Sequence, residues 1–249
     1  MRKVGIIGCG AIGTIIAGAV EREIVQCDEL ILYDQRMEKA GKLKKSLHVL
    51  VTIVRNFEEM IKLKPTVIVE AASQQAVKDY MDRILKKNID LIVMSVGALL
   101  DLDVKNKKVH IPSGAIGGLD AISSAKLAGV DEVVLTTRKN PRALNMSNSE
   151  EKPVYEGTAK EAIRLFPREM NVAATLALTT EPEKVKVEII SDPKVHRNVH
   201  EIKIKWKLGE MLLKFANDAH PENPKTSALA AWSAIKLLNE ILAKYEISP

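Results

Sequence analysis

Aromatic side chains are scarce in this chain: three Phe, four Tyr and two Trp among 249 residues. The core must therefore be filled with Ile, Val, Leu and Ala, and the stacked aromatic platforms that bind single-stranded nucleic acids are not expected. Cysteine is rarer still. Cys9 and Cys27 are the only two, which is no disulfide framework and has no metal-ligand spacing, so no metal site is expected. Long hydrophobic runs are missing as well. No apolar stretch approaches the ~20 residues of a bilayer span, and the N-terminus enters a strand directly without the apolar region of a secretory leader. No membrane association is expected, and a cytoplasmic location follows. Charge of one sign is nowhere concentrated. The 37 Lys and Arg exceed the 32 Asp and Glu by a net +5, but the two signs interleave, which reads as a mixed solvated surface. No nucleic-acid-binding motif accompanies the basic balance, so no nucleic-acid partner is expected.

What is present is a repeated punctuation of apolar runs by small residues. Lys3-Val4-Gly5-Ile6-Ile7 ends at Gly8, and Gly8-Cys9-Gly10-Ala11-Ile12-Gly13 follows. Residues 14–20 then have helical character, and Leu30-Ile31-Leu32-Tyr33 ends on Asp34. Strand, glycine turn, helix, strand and acid, in that order, make a dinucleotide-binding unit. Gly8 allows the tight turn, Gly10 lets backbone approach a pyrophosphate, and Gly13 lets helix and strand pack closely. Ala11 and Ile12 open the helix whose free N–H groups and dipole face the phosphates. Asp34 is placed to accept hydrogen bonds from the adenosine ribose. A carboxylate there repels a 2′-phosphate and points to NAD; the nearby Arg36 leaves NADP open.

The alternation continues through a helix over 38–47, a strand over 49–54, a helix over 57–62 capped by Asn56, a strand over 66–70, a helix over 74–86 and a strand over 90–95. Repeated βα units of this kind build a doubly wound parallel sheet, which binds ligands at the carboxyl ends of its strands. Ala71, Ala72, Ser95 and Gly97 fall at those ends and leave room for a cofactor.

The second half is patterned differently. A glycine-rich loop, Ser113-Gly114-Ala115-Ile116-Gly117-Gly118-Leu119-Asp120, opens a helix over 121–128. Residues 133–137 are strand-like, 140–152 read as loop, 155–158 lead into a helix over 159–166, and 171–178 form a small apolar helix. Segments 185–190, 199–206 and 210–215 alternate with period two, which predicts an antiparallel sheet with one wet face. A last amphipathic helix over 228–245 returns to the first domain. The expected plan is α/β: a Rossmann-type dinucleotide-binding domain over 1–108 plus 224–249, and a smaller α+β catalytic or substrate domain over 109–223.

Six stretches form a recognisable set: the glycine turn, Ser95-Val96-Gly97-Ala98, the loop from Ile111 to Asp120, Asn171-Val172-Ala173-Ala174, Asn198-Val199-His200-Glu201, and Asn223-Pro224-Lys225-Thr226-Ser227. Together, in this order and over nearly the whole chain, they resemble the L-aspartate dehydrogenase family. The resemblance implies oxidation of L-aspartate with NAD or NADP to iminoaspartate, which hydrolyses to oxaloacetate and ammonia or feeds quinolinate synthesis in NAD biosynthesis. It also implies a homodimer, a catalytic histidine at His200, and cofactor contacts at Ala115 and Asn171. The chemistry agrees, because amine oxidation needs a group that takes a proton near neutral pH, and histidine is that group. Of His48, His110, His196, His200 and His220, spacing alone does not separate His196 from His200. A dicarboxylate substrate needs cations and donors: Arg138, Lys139, Arg197 and Lys225 are candidates, with Asn198, Thr226 and Ser227, although Ser227 also suits a helix cap. Two other readings share the Rossmann half: a relative of homoserine dehydrogenase or dihydrodipicolinate reductase, and a non-catalytic NAD-binding sensor.

Overall fold

The computed structural model describes residues 1–102, 104, 108–167, 169–220 and 223–244, and of 219, 220 and 223–226 the backbone only. Two compact units separate: Met1–Pro112 together with the residues from Ala231, and Ser113–Ala230. Among the described residues, no helix is long and apolar enough to cross a membrane.

In the first unit, β1 (Lys3–Ile7), β2 (Glu29–Tyr33), β3 (Val51–Ile53), β4 (Val67–Glu70), β5 (Asp90–Val93) and β6 (Val109–His110) form one sheet in the order β3-β2-β1-β4-β5-β6. Every pairing in it is parallel. The apolar runs of β2, β4 and β5 are buried along their whole length, as expected of parallel strands covered on both faces. The helices α1 (Ala11–Glu21), α2 (Met37–Lys45), α3 (Phe57–Lys62) and α4 (Gln74–Lys86) fill the crossovers. Asn56 caps α3 as expected, its Oδ1 accepting from Glu59 N at 3.0 Å. The strand order reverses between β1 and β4, so the crevice beyond the carboxyl ends of these two strands is where this topology receives a ligand.

The second unit contains α5 (Leu119–Ala128), β7 (Val130–Lys139), β8 (Lys152–Thr158), α6 (Ala159–Leu165), α7 (Asn171–Thr179), β9 (Val185–Ser191), β10 (Asn198–Trp206), β11 (Gly209–Asn217), β12 (Ala219–His220) and β13 (Asn223–Ser227). Five strands form a sheet in the order β11-β10-β7-β9-β8. β7 and β9 run parallel and the other pairs antiparallel, so the sheet is mixed. Its inner face is built by strict alternation: Val133, Leu135, Val185, Val187, Ile189, Ile202 and Ile204 are buried, while Lys203, Lys205 and Lys214 are exposed.

Four features differ from the sequence reading. Residues 152–158 are an edge strand and not a lead-in; Pro153 lacks an N–H and is tolerated there because only one side is paired. Thr158 ends that strand and caps α6 in a reciprocal box with Glu161. Residues 223–227 pair with β12 in a small hairpin before the last helix, α8 (Ala228–Ala243). The unit boundaries fall a few residues later than 108/109 and 223/224, because β6 still pairs with β5 in the first sheet and β13 still pairs within the second unit. As expected, α8 returns to the first unit, where Asn239 Nδ2 donates to Ile24 O at 2.9 Å.

Candidate active site

The glycine turn is shaped by three different requirements. Gly8 has φ +99° and lies against β4: a Cβ there would sit 2.6 Å from Ala71 O. A Cβ on Gly13 would sit 2.1 Å from Gly8 O, so this residue sets how closely α1 packs on the turn. Gly10 is different, since a Cβ on it would meet nothing within 4 Å. The protein's own packing explains Gly8 and Gly13, whereas the bare backbone at Gly10 faces open space. Ala11 and Ile12 begin α1, and their N–H groups have no acceptor within the helix. Asp34 closes the turn: Oδ2 accepts from Cys9 N at 2.8 Å and Oδ1 from Arg36 N at 2.9 Å. Each oxygen keeps a further lone pair for a hydroxyl. Cys9 itself is buried, and burial pushes its thiol up to about 12. It is a small neutral filler and not a nucleophile.

Ala71, Ala72 and Ser95 are held by a residue that the sequence reading passed over. Glu70 ends β4 and is buried. Its carboxylate accepts from Ala72 N and Ser73 N at 2.8 Å, from Ser95 N at 3.0 Å and from Ser95 Oγ at 2.9 Å. Burial raises its proton affinity, and the four donors work against that rise. One side chain thereby ties the ends of β4 and β5 together at the ligand edge of the sheet. The signal was an acid closing an otherwise apolar strand just before small residues. Gly97 is buried in the 3-10 turn Val96–Asp101 that follows Ser95.

In the second unit the inner face of the sheet changes character at one end. Beyond Leu135, Ile189 and Ile202 its buried residues are polar: Thr137, Lys139, Ser191, Asn198 and His200. His200 lies on β10 between Thr137 of β7 and Phe215 of β11. Its Nδ1 is 3.0 Å from Thr137 Oγ1. With Nδ1–H donating to that hydroxyl, Nε2 keeps its lone pair for a proton in transfer. Burial, and then the charge of Lys139, push the imidazole down to about 3, so His200 is neutral at physiological pH.

The glycine loop is fixed against the same end of the sheet. Gly114 and Gly118 have φ +69° and +72°. A Cβ on Gly117 would touch the Phe215 ring at 3.5 Å, and one on Gly118 would press on Leu213 at 3.0 Å. Asn217 Nδ2 donates to Ala115 O at 2.8 Å, and Asn217 pairs in register with Asn198. Ala115, Asn198 and His200 are thus brought together. Asn171 begins α7, and its buried Oδ1 has no hydrogen-bond partner among the described residues. A buried acceptor left open in this way is the mark of a missing donor.

The remaining candidates divide. His48 is bound to Glu21 at 2.7 Å and His110 to Asp90 at 2.6 Å, while His196 is exposed. Arg138 pairs with Glu151 on the opposite face, and Arg197 pairs with Asp218. Ser227 is buried at the end of β13. The side chains of His220, Lys225 and Thr226 lie outside the described residues.

Two family models match the chain. The first, Homoserine dehydrogenase, NAD binding domain, covers residues 8–110. The second, Aspartate dehydrogenase, C-terminal, covers residues 120–241. An L-aspartate dehydrogenase of Methanothermobacter thermautotrophicus is 40% identical over 97% of this chain and 96% of its own. That of Archaeoglobus fulgidus is 41% identical over 96% of this chain and 97% of its own. The chain belongs to the L-aspartate dehydrogenase family. The crystal structure of aspartate dehydrogenase from Thermotoga maritima superposes with a TM-score of 0.77 at 31% identity, covering 100% of this chain and 98% of that one. A myo-inositol dehydrogenase from Lactobacillus casei, at 12% identity and a TM-score of 0.59 over 100% of this chain and 89% of that one, shares the fold alone. As an L-aspartate dehydrogenase family member, the chain carries a pyridine-nucleotide-binding domain in its first unit. The residues of that unit fit such a cofactor, because the turn is bare at Gly10.

Proposed function

We propose that this protein catalyses the oxidative deamination of L-aspartate to iminoaspartate with NAD as the preferred cofactor. The imine hydrolyses to oxaloacetate and ammonia or feeds quinolinate synthesis. The observation that carries this reading is His200: buried, neutral, oriented by Thr137, and set in the polar end of an otherwise apolar face. When bound, the nicotinamide supplies the oxidant, taking up the Cα hydrogen with its electron pair. The protein moves the protons. His200 Nε2 takes one from the substrate amine as the C=N bond forms, gives it up to solvent, and then takes one from the water that attacks the imine carbon and returns it to the departing amine.

In this reading Gly8, Gly10, Ala11, Ile12 and Gly13 receive the pyrophosphate and Asp34 the adenosine ribose. Ala71, Ala72, Ser95 and Gly97 border the cofactor at the strand ends, and Ala115 and Asn171 meet its nicotinamide end. Asp34 disfavours a 2′-phosphate, which supports NAD over NADP. Asn198, Lys225, Thr226 and Ser227 are assigned to the substrate carboxylates. The protein acts in the cytoplasm as a homodimer.

The test is steady-state reduction of NAD with L-aspartate by the wild type and by His200→Ala. Turnover in the variant is expected to fall roughly 10²- to 10⁴-fold with NADH binding intact. A variant that turns over like the wild type removes His200 from the mechanism.

A further inference from the structure

Three acids are buried among the described residues of the first unit: Glu29, Glu70 and Asp90. Two of them stand at the amino ends of their strands and meet cations. Glu29, the first residue of β2, pairs with Lys3 at 2.8 Å. Asp90, the first residue of β5, pairs with Lys108 at 3.1 Å and lies 2.6 Å from His110. Glu70 differs in both respects. It is the last residue of β4, at the ligand edge of the sheet, and it is the most buried of the three at 1% exposure. Among the described residues its carboxylate meets four neutral donors and no cation: Ala72 N, Ser73 N, Ser95 N and Ser95 Oγ.

This surrounding holds the ionised form. Three backbone N–H groups aimed at a carboxyl favour its charge, and a protonated carboxyl would bring a further donor to a cluster made of donors. A buried carboxylate without a counter-ion is costly, and its negative field is undiminished at the edge where a ligand arrives. A dinucleotide in this topology lies across the crevice between β1 and β4, one nucleotide half on each side. With the adenosine ribose on Asp34, at the end of β2, the nicotinamide half lies on the side of β4 and β5, whose ends Glu70 ties together. The nicotinamide ring is a cation when oxidised and neutral when reduced.

We propose that the Glu70 carboxylate is a fixed counter-charge for the oxidised nicotinamide, through which the protein favours NAD over NADH. This rests on the cofactor placement given under the proposed function. Glu70 acts as a field and not as a contact. The pyrophosphate carries the same charge in both forms of the cofactor, so its repulsion by Glu70 cancels in the ratio of the two affinities. Opposite unit charges about 10 Å apart, at an effective dielectric constant of about 20, are worth roughly a factor of ten. The product form, NADH, is the one that leaves more readily.

The experiment is calorimetric titration of NAD, NADH and adenosine diphosphate ribose, which lacks the nicotinamide, into the wild type, Glu70→Gln, Glu70→Ser and Ser95→Ala. The wild type is expected to bind NAD at least as tightly as NADH. Glu70→Gln loses the ties of the strand ends for every ligand and the charge for NAD alone, so the ratio of the NADH Kd to the NAD Kd should fall roughly tenfold. NADH and adenosine diphosphate ribose should weaken together. Ser95→Ala removes a tie and keeps the charge, so it should weaken both forms of the cofactor and retain the wild-type ratio. If Glu70→Gln does not fold, the smaller Glu70→Ser decides. A folded neutral variant with the wild-type ratio overturns the proposal, and so does a wild type that binds NADH tenfold more tightly than NAD. Asp34→Ala tests the placement separately: adenosine diphosphate ribose bound by that variant as by the wild type overturns the placement, and the ratios still decide whether Glu70 discriminates the two forms.

Discussion

Gly10 and Gly13 share one turn and differ in what they face. A methyl group at Gly13 would be driven into the Gly8 carbonyl, a backbone atom with no rotamer to escape into. Gly13→Ala is therefore expected to lower stability by several kcal/mol, of the order seen for severe overpacking. At Gly10 the added methyl meets no protein atom within 4 Å. Gly10→Ala should melt within about 1 kcal/mol of the wild type and yet bind NADH at least tenfold more weakly. Thermal unfolding and NADH fluorescence titration separate the two outcomes, and undiminished NADH binding by Gly10→Ala would show that the gap is not where the cofactor lies. His200 carries a second residue-scale expectation. Its folded-state value of about 3 lies below the 6.5 of an unfolded histidine, so the unfolded chain takes up the extra proton between these limits. The stability it contributes is complete above pH 6.5 and is lost progressively as pH falls towards 3. Glu70 acts in the opposite sense, because its proton affinity is raised on folding. The difference between wild type and His200→Gln isolates the histidine: denaturant unfolding at pH 7 and pH 4.5 should show a smaller acid loss in the variant.

At the scale of elements, the cofactor edge of the first sheet depends on Glu70 as much as on the glycines. Replacing it with Gln exchanges one accepting oxygen for an amide donor that faces N–H and O–H groups which are themselves donors. Glu70→Gln should cost about 1–3 kcal/mol of stability and weaken NADH binding about tenfold, with kcat changed much less than cofactor affinity. Equal affinity in the variant would mean that the β4 and β5 ends are set by other contacts. The βα alternation around this edge was legible because parallel strands buried on both faces read as plain apolar runs, and Asn56 was legible as a cap from its own chemistry. The strand at 152–158 was not. An edge strand containing Pro153 carries no buried run and little alternation, and its identity comes from the partner strand β9. The same holds for 223–227, whose pairing with β12 leaves no periodic trace in five residues. The strand read as 133–137 extends to Lys139, and that extension is what turns a generic lysine into a residue of the inner face.

At the scale of the whole molecule, the two units divide the labour: one carries the nucleotide turn, the other the histidine. The glycine turn was readable because each glycine has a local reason to be there. The histidine was not readable from spacing, since His196 and His200 stand in the same stretch. Pairing with Thr137, a residue far away in sequence, buries His200 and leaves His196 exposed, and no local pattern encodes that partner. The resemblance carried by the Asn198-Val199-His200-Glu201 stretch supplied what spacing lacked. The link from Asn217 to Ala115 likewise depends on a pairing between distant segments. The central claim is that these parts serve the oxidation of L-aspartate. Steady-state formation of NADH by the wild-type protein, with L-aspartate compared against L-asparagine, L-glutamate, L-alanine and L-homoserine, tests it most directly. The expected result is a kcat/KM for L-aspartate that exceeds each of the others by tenfold or more; no rate with L-aspartate, or a higher one with L-homoserine, would contradict it.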